Sequence, residues 1–358
     1  MVREQQSYWH FGPRVSVPLG GDESGLTVRI RDDIRKSVVF VGFRDETLKG
    51  GFSAAGTGFF IAYDNVGHFV TCAHVAEVLG DTGFVFRLNL VGGDSEVSDV
   101  DSFEWHFHPD KRVDLAVAPF RINFAKSGLD HSYLDELFTK SSLDHGFDVG
   151  IGDHCYTIGL YRFLPGTARN VPIVHVGHIA LMAGEERIPI EFGGNGVSDV
   201  RLCDSHLVEG QGVHGISGSP VFVRSSFDHF SPPAQEGKFQ NTRLPRSEVL
   251  LFGVWQSSYF VPPKDELEKG LTDYEKPHGG PPSGVSLGKG AVVPVAQLIE
   301  ILESDKMKDM RAKLKAKVAS SATSLSAGAV KAIDENPTHQ EDFKSLLTAA
   351  AKTPPQDD

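Results

Sequence analysis

Gly212-Val213-His214-Gly215-Ile216-Ser217-Gly218-Ser219-Pro220, followed by Val221-Phe222-Val223, is the stretch from which the rest of the chain can be read. A serine stands between glycines in a tight turn that runs into a short apolar segment of strand type. Glycine accepts backbone angles that strain other residues, so such a turn can expose a hydroxyl and aim neighbouring N–H groups at one point. Acyl transfer needs that pairing, a nucleophile with an oxyanion-binding backbone beside it. The motif is short and by itself equally describes a Gly/Ser loop ahead of a core strand. Residues upstream decide between the two.

Composition narrows the classes. The chain has 358 residues, 40% of them hydrophobic, and a net charge of -12. That length suits roughly two or three domains. The charge argues against general nucleic-acid binding, whose footprint is a basic patch. Cys72, Cys155 and Cys203 lie far apart with no C-x-x-C pair, which argues against a disulfide framework and a structural zinc site. They read as small buried hydrophobes of a reducing compartment. Residues 1–10 contain no apolar core of signal-peptide type, and no run approaches the ~20 apolar residues of a membrane helix. The expectation is a cytoplasmic protein without membrane contact, metal or cofactor. Asp99-Val100-Asp101 is only a fragment of a calcium loop.

Taken in order, residues 1–34 read as an N-terminal arm ending in a strand at 26–30. Short β-branched and aromatic runs at 37–43, 58–63, 68–74, 84–90, 103–107 and 113–118 predict strands. Residues 51–58 are expected to form a turn, and Asp64-Asn65-Val66-Gly67 a hairpin turn. This spacing predicts an all-β barrel or sandwich over 35–120. The piece 121–150 reads as a polar connection, helix-compatible at 129–139. A second β block, 151–303, has strands at 155–160, 173–181, 187–192, 200–203, 221–223 and 249–255. Two long loops, 225–247 and 261–290, interrupt it. It ends in a helix started by Val292-Val293-Pro294, with Val295, Leu298, Ile299, Ile301 and Leu302 at helical spacing. Residues 304–358 form a helical or partly disordered tail, with a capping box at Thr338-His339-Gln340-Glu341. Its cluster Lys306, Lys308, Arg311, Lys313, Lys315 and Lys317 reads as a solvated face, the alternative being contact with an acidic partner, and the tail as a whole is the expected place for a protein regulator.

A serine nucleophile needs a base for its proton and a group that orients the base. Thr71-Cys72-Ala73-His74 sets a histidine at the end of a strand. Arg112-Val113-Asp114-Leu115-Ala116-Val117 sets a carboxylate at the head of an apolar run, which draws it inward, where burial without a partner is costly. His74 and Asp114 fall in the first β block and Ser217 in the second.

These three segments resemble those of trypsin/chymotrypsin-fold serine peptidases: T-[AC]-A-H, D-[IL]-A and G-x-S-G-[GS]-P, in that order. Gly56-Thr57-Gly58-Phe59-Phe60-Ile61 resembles the strand leading to the histidine. Gly152-Asp153-His154-Cys155-Tyr156-Thr157-Ile158-Gly159 is similar to the opening of the second barrel in bacterial HtrA-type members. Phe252-Gly253-Val254-Trp255-Gln256-Ser257 is similar to the strand lining the substrate cleft. The resemblance covers about residues 35–303. It implies two six-stranded antiparallel β-barrels with the active site between them, plus the helical C-terminal tail. It further implies Ser217 as nucleophile, His74 as general base and acid, Asp114 as the orienting carboxylate, and the N–H groups of Gly215 and Ser217 as the oxyanion hole.

Ile216 stands where secreted digestive relatives carry the Asp that pairs with a new N-terminus after zymogen cleavage. No activation cleavage is therefore expected, and Ile216 should face apolar surroundings. Val75 replaces the cysteine that follows their histidine. By position, Gln211, Gly212, Val213 and His214 line one side of the primary pocket, Gln256, Ser257 and Ser258 another, and residues 288–291 its base. No acid lies at its floor, so a small or medium apolar residue is expected there. The resulting expectation is a serine endopeptidase acting on proteins or peptides. The alternative is a catalytically silent protease-fold binding module working through its tail and surface loops. An esterase of G-x-S-x-G type does not fit the order of the residues.

Overall fold

The computed structural model describes residues 30–48, 50–135, 149–161, 166, 168–194, 197–210, 215–224, 249–261 and 285–327. The expected strand at 26–30, apart from Ile30, lies outside these residues. So do the loop 225–247, most of 261–290, the helix at 338–341 and Gln211, Gly212, Val213 and His214.

The molecule is mostly β. Seven strands build the first sheet: β1 (Val38–Arg44), β2 (Phe52–Tyr63), β3 (Val66–Thr71), β4 (Phe84–Asn89), β5 (Ser95–Val100), β6 (His106–Phe107) and β7 (Ala116–Pro119). Their order is β5-β4-β1-β2-β3-β7-β6, and each neighbouring pair is antiparallel. Among the described residues no ladder joins β5 to β6, so this region is a seven-stranded sheet where a six-stranded barrel was expected. The second region does close. β8 (His154–Gly159), β9 (Ile173–Leu181), β12 (His206–Glu209), β13 (Pro220–Arg224), β14 (Leu250–Val261) and β15 (Val285–Pro294) form a barrel in the order β12-β15-β14-β13-β8-β9. β10 (Ile188–Gly194) and β11 (Val197–Cys203) form a separate two-stranded ribbon. The helices among the described residues are α1 (Asp32–Lys36), α2 (Ala73–Leu79), α3 (Phe124–Ser127), α4 (Val295–Leu302) and α5 (Asp305–Ala327).

Several barrel strands are buried on both faces, which explains their unbroken apolar sequences. Successive strand residues point to opposite faces. In β13, Val221 and Val223 fill the barrel interior while Phe222 joins the core of the first sheet. In β14, Leu250 and Phe252 point inward, and Leu251 and Val254 outward. The same outer core takes Leu298, Ile301 and Leu302 of α4 and Met307 of α5. A dense aromatic cluster forms its centre: Phe60 stacks on Phe120 at 4.6 Å, and Phe69 meets Phe86 edge-on at 5.0 Å.

The structure corrects the sequence reading at several points. Residues 52–58 are strand and not turn. Gly56 is there for close approach, since a Cβ would lie 2.8 Å from a Val75 methyl and 3.4 Å from Ser217 O. The polar connection is no free linker: Ile122, Phe124, Leu129 and Leu134 are buried in the first core, and Leu134 bridges Ile61 in parallel. Helix at 129–135 is absent because these residues follow the sheet edge. Val292 and Val293 belong to β15, opposite Trp255 and Val254, and the helix begins only after Pro294. Predicted strand 103–107 shrinks to His106–Phe107, and Asp114 precedes β7.

The hairpin turn at Asp64 and Asn65 holds, with φ of 50° and 59°, as a two-residue loop of left-handed residues requires. Nor is the basic cluster a uniform solvated face. Arg311 is buried, donates to Leu302 O and lies over the Tyr63 ring, while Lys315 pairs with Asp64 at 2.6 Å. The side chain of Lys317 lies outside the described residues.

Candidate active site

β3 ends at Thr71. Cys72 stays extended as the N-cap of α2, and His74 follows as the second residue of that helix. The loop before β7 brings in Asp114, whose side chain is 1% exposed. Its Oδ1 accepts the His74 backbone N–H at 2.9 Å, and its Oδ2 meets His74 Nδ1 at 2.6 Å. One buried carboxylate thus holds the main chain and the ring together. Because a carboxylate only accepts, Nδ1 carries the proton, and Nε2 is left as the basic nitrogen. Burial lowers the affinity of His74 for a second proton, but the adjacent Asp114 charge and hydrogen bond outweigh it, so its pKa is raised. The imidazole remains 36% exposed, which leaves room for a reacting group.

The serine turn is seated on β2. Thr57 N–H donates to Ser217 O at 3.0 Å, and the Thr57 hydroxyl donates to Gly215 O at 2.6 Å. Gly215 and Gly218 adopt φ of 102° and 89°, values that favour glycine. Gly218 could carry no side chain in any case. Its Cβ would fall 2.0 Å from Thr57 O and 2.4 Å from Thr71 Oγ1. Ser219 N–H closes the turn onto Ile216 O at 2.9 Å. Ile216 is buried in the barrel core with Cys155, Ile179 and Val208, the apolar surroundings expected for it.

One acceptor ties the two halves of the site together. Trp255 O receives the Gly218 N–H at 2.8 Å and the Cys72 thiol at 3.2 Å. Cys72 is two residues before His74, and Gly218 is one after Ser217. Gly56 likewise lies between the Val75 side chain and Ser217 O. Among the described residues no hydrogen bond joins Ser217 to His74, and the Gly215 and Ser217 N–H groups have no acceptor. Catalytic hydrogen bonds are often long before substrate arrives.

Cys72, His74 and Asp114 offer ligand atoms within 4.8 Å of one another. Those atoms are already engaged: Nδ1 with Asp114, the thiol with Trp255 O. Burial, then the Asp114 charge, push the Cys72 thiol well above its ordinary pKa, and only a thiolate is a good metal ligand. The arrangement serves hydrogen bonding better than metal coordination.

Of the expected pocket residues, Ser257 and Ser258 are half-buried on β14 and Gln256 is buried. Thr57, Cys72 and Trp255 carry structural duties that sequence reasoning did not assign. Only Thr57, between Gly56 and Gly58, stood beside a signal of close packing. No helix among the described residues is long and apolar enough to cross a membrane. Comparison with protein-family models gives no match, and no curated protein matches the chain.

Proposed function

We propose that the chain is a serine endopeptidase with the two-domain arrangement of the chymotrypsin fold, the seven-stranded sheet standing for its first barrel. The observation that carries this reading is His74 held at both its N–H and its Nδ1 by buried Asp114, with the Ser217 turn seated on Thr57 beside it. Ser217 Oγ attacks the scissile carbonyl of a protein or peptide while His74 Nε2 takes its proton. The Gly215 and Ser217 N–H groups receive the oxyanion; removing one such donor typically costs about 100-fold or more in rate. His74 then gives the proton to the leaving amine, and water releases the acyl group from Ser217 by the same route in reverse. Asp114 stabilises the imidazolium at both stages.

Buried Ile216 supports a turn that needs no charged N-terminus to form, hence activity without zymogen cleavage. α5, clamped to the β2–β3 hairpin by Arg311 and Lys315, is the place where a protein regulator acting through the tail would be felt. The reading is tested by labelling with a serine-directed fluorophosphonate. Wild type is expected to label, and Ser217→Ala and His74→Ala to stay at background. Equal background labelling of folded wild type and Ser217→Ala sinks it.

A further inference from the structure

Trp255 is the largest side chain in the core of the closed barrel, and only 2% of it is exposed. Its main chain borders the serine turn, through Gly218 N–H to Trp255 O and Trp255 N–H to Ser219 O, both at 2.8 Å. Strand alternation sends Val254 outward to the core of the first sheet and the Trp255 indole into the barrel. There the far edge of the ring rests against two glycines. A Cβ on Gly290 would lie 2.0 Å from Trp255 Cη2 and 2.2 Å from Cζ2, and one on Gly210 would lie 3.0 Å from Cη2. Gly210 N–H also donates to Gly288 O at 3.0 Å, joining the ends of β12 and β15. The indole therefore lies from β14, beside the serine turn, over the neighbouring strand β15 to the end of β12. Residues 288–291 were expected to form the base of the specificity pocket. Within that stretch the ring covers Gly290, and Gly290 and Gly210 are the socket that admits it.

We infer that Trp255 is a built-in plug of the primary pocket, so that the residue contributing the scissile carbonyl is glycine, alanine or serine. This rests on the serine endopeptidase reading. A substrate side chain of leucine or phenylalanine size would need the volume the indole fills, and a packed interior yields little. Pocket discrimination reaches about 10- to 200-fold per methylene-sized difference.

The test uses the full-length protein and fluorogenic peptides that differ only before the scissile bond, with Ala, Leu or Phe there. A small alkyl fluorophosphonate is run in parallel. Wild type is expected to favour Ala over Phe by about 100-fold or more in kcat/KM. Trp255→Ala is expected to raise Leu and Phe at least about 10-fold relative to Ala. Trp255→Leu, which keeps an apolar filler, gives the same shift in smaller measure should the alanine variant not fold. Labelled wild type that prefers Leu or Phe overturns the plug and leaves the endopeptidase reading standing. So does an unchanged ranking in a Trp255→Leu protein that labels like wild type. Absence of labelling at Ser217 in folded wild type takes both down.

Discussion

In the first sheet, His74 is held by charge and hydrogen bonding: a buried carboxylate grips its main chain and its ring. In the closed barrel, Ser217 is held by steric exclusion, in a turn whose glycines admit two left-handed backbone angles and an approach to Thr57 O that no side chain permits. On the proposed endopeptidase reading, the difference follows from the tasks. The base must change charge during the reaction and needs a fixed counter-charge. The nucleophile must present a hydroxyl and backbone N–H groups at one point, which is a matter of shape. The two modes of fixation should fail differently when broken.

The largest expected effect is on the charged side. Asp114→Asn keeps the volume but removes the charge and can leave the imidazole in the wrong tautomer, so kcat should fall about 10⁴-fold, read by steady-state hydrolysis. The same change should move the acid limb of kcat/KM downward in pH, because Asp114 is what raises the His74 pKa. Stability follows the sign of that shift. The charged His74–Asp114 pair stabilises the fold below the ordinary histidine pKa of about 6.5, and its contribution fades as pH rises through the raised native value. A wild-type acid limb below pH 6.5 would contradict the electrostatic account.

A second polar lock, made by residues outside the candidate site, should respond to acid in the opposite sense. His131 accepts the Asn89 N–H at Nε2 and meets Lys36 O through Nδ1, both at 2.8 Å, so it is held as the neutral Nδ1–H tautomer. Burial pushes its pKa down to about 4. The unfolded chain takes up a proton near pH 6.5 that the native state refuses, so stability should fall as pH drops from about 6.5 to 4, by roughly 3 kcal/mol from this group. Urea midpoints across that range measure the slope, and His131→Asn should flatten it. An unchanged slope in the variant would remove His131 from the first sheet's set of polar locks.

How much of this was legible beforehand differs between the two regions. The contact of His74 with Asp114 was legible because each sits in a short local pattern of residue types, and β8, β9, β13 and β14 as short β-branched and aromatic runs, whereas β12 was missed and β15 was read as loop and helix start. Thr57 and Cys72 could not, because each bonds to residues more than a hundred positions away, as Thr57 to Gly215 and Cys72 to Trp255. From its residues alone Gly56 read as part of a turn, and only the family resemblance set it in a strand, since sequence alone does not separate a glycine that bends the chain from one that lets two chains touch. The piece 121–135 looked polar because its buried residues are spaced to follow a sheet edge, a pattern with neither helical nor strand period.

Gly218→Ala probes the steric side. The new methyl would meet backbone at 2.0 Å, on a residue at φ of 89°, and neither the carbonyl of Thr57 nor the turn can move without the other. A cost of about 1–3 kcal/mol in stability is expected from the strain, seen as a lowered urea midpoint, together with loss of fluorophosphonate labelling. Labelling at wild-type rate would show that the turn is not held by exclusion.

Gly56→Ala should give the smallest effect, and it separates two kinds of steric contact. Here the methyl would meet the Val75 side chain at 2.8 and 2.9 Å and Ser217 O only at an ordinary 3.4 Å. Side-chain crowding of this kind costs about 1–3 kcal/mol when the core cannot give, and less where a small neighbour relieves it. Val75→Ala in the same chain should therefore restore most of what Gly56→Ala loses, with a coupling of about 0.5 kcal/mol or more in a double-mutant cycle. No such rescue is available at Gly218, where the obstruction is main chain. If the two Gly56→Ala and Val75→Ala changes simply add, crowding between β2 and α2 is not the source of the cost at Gly56.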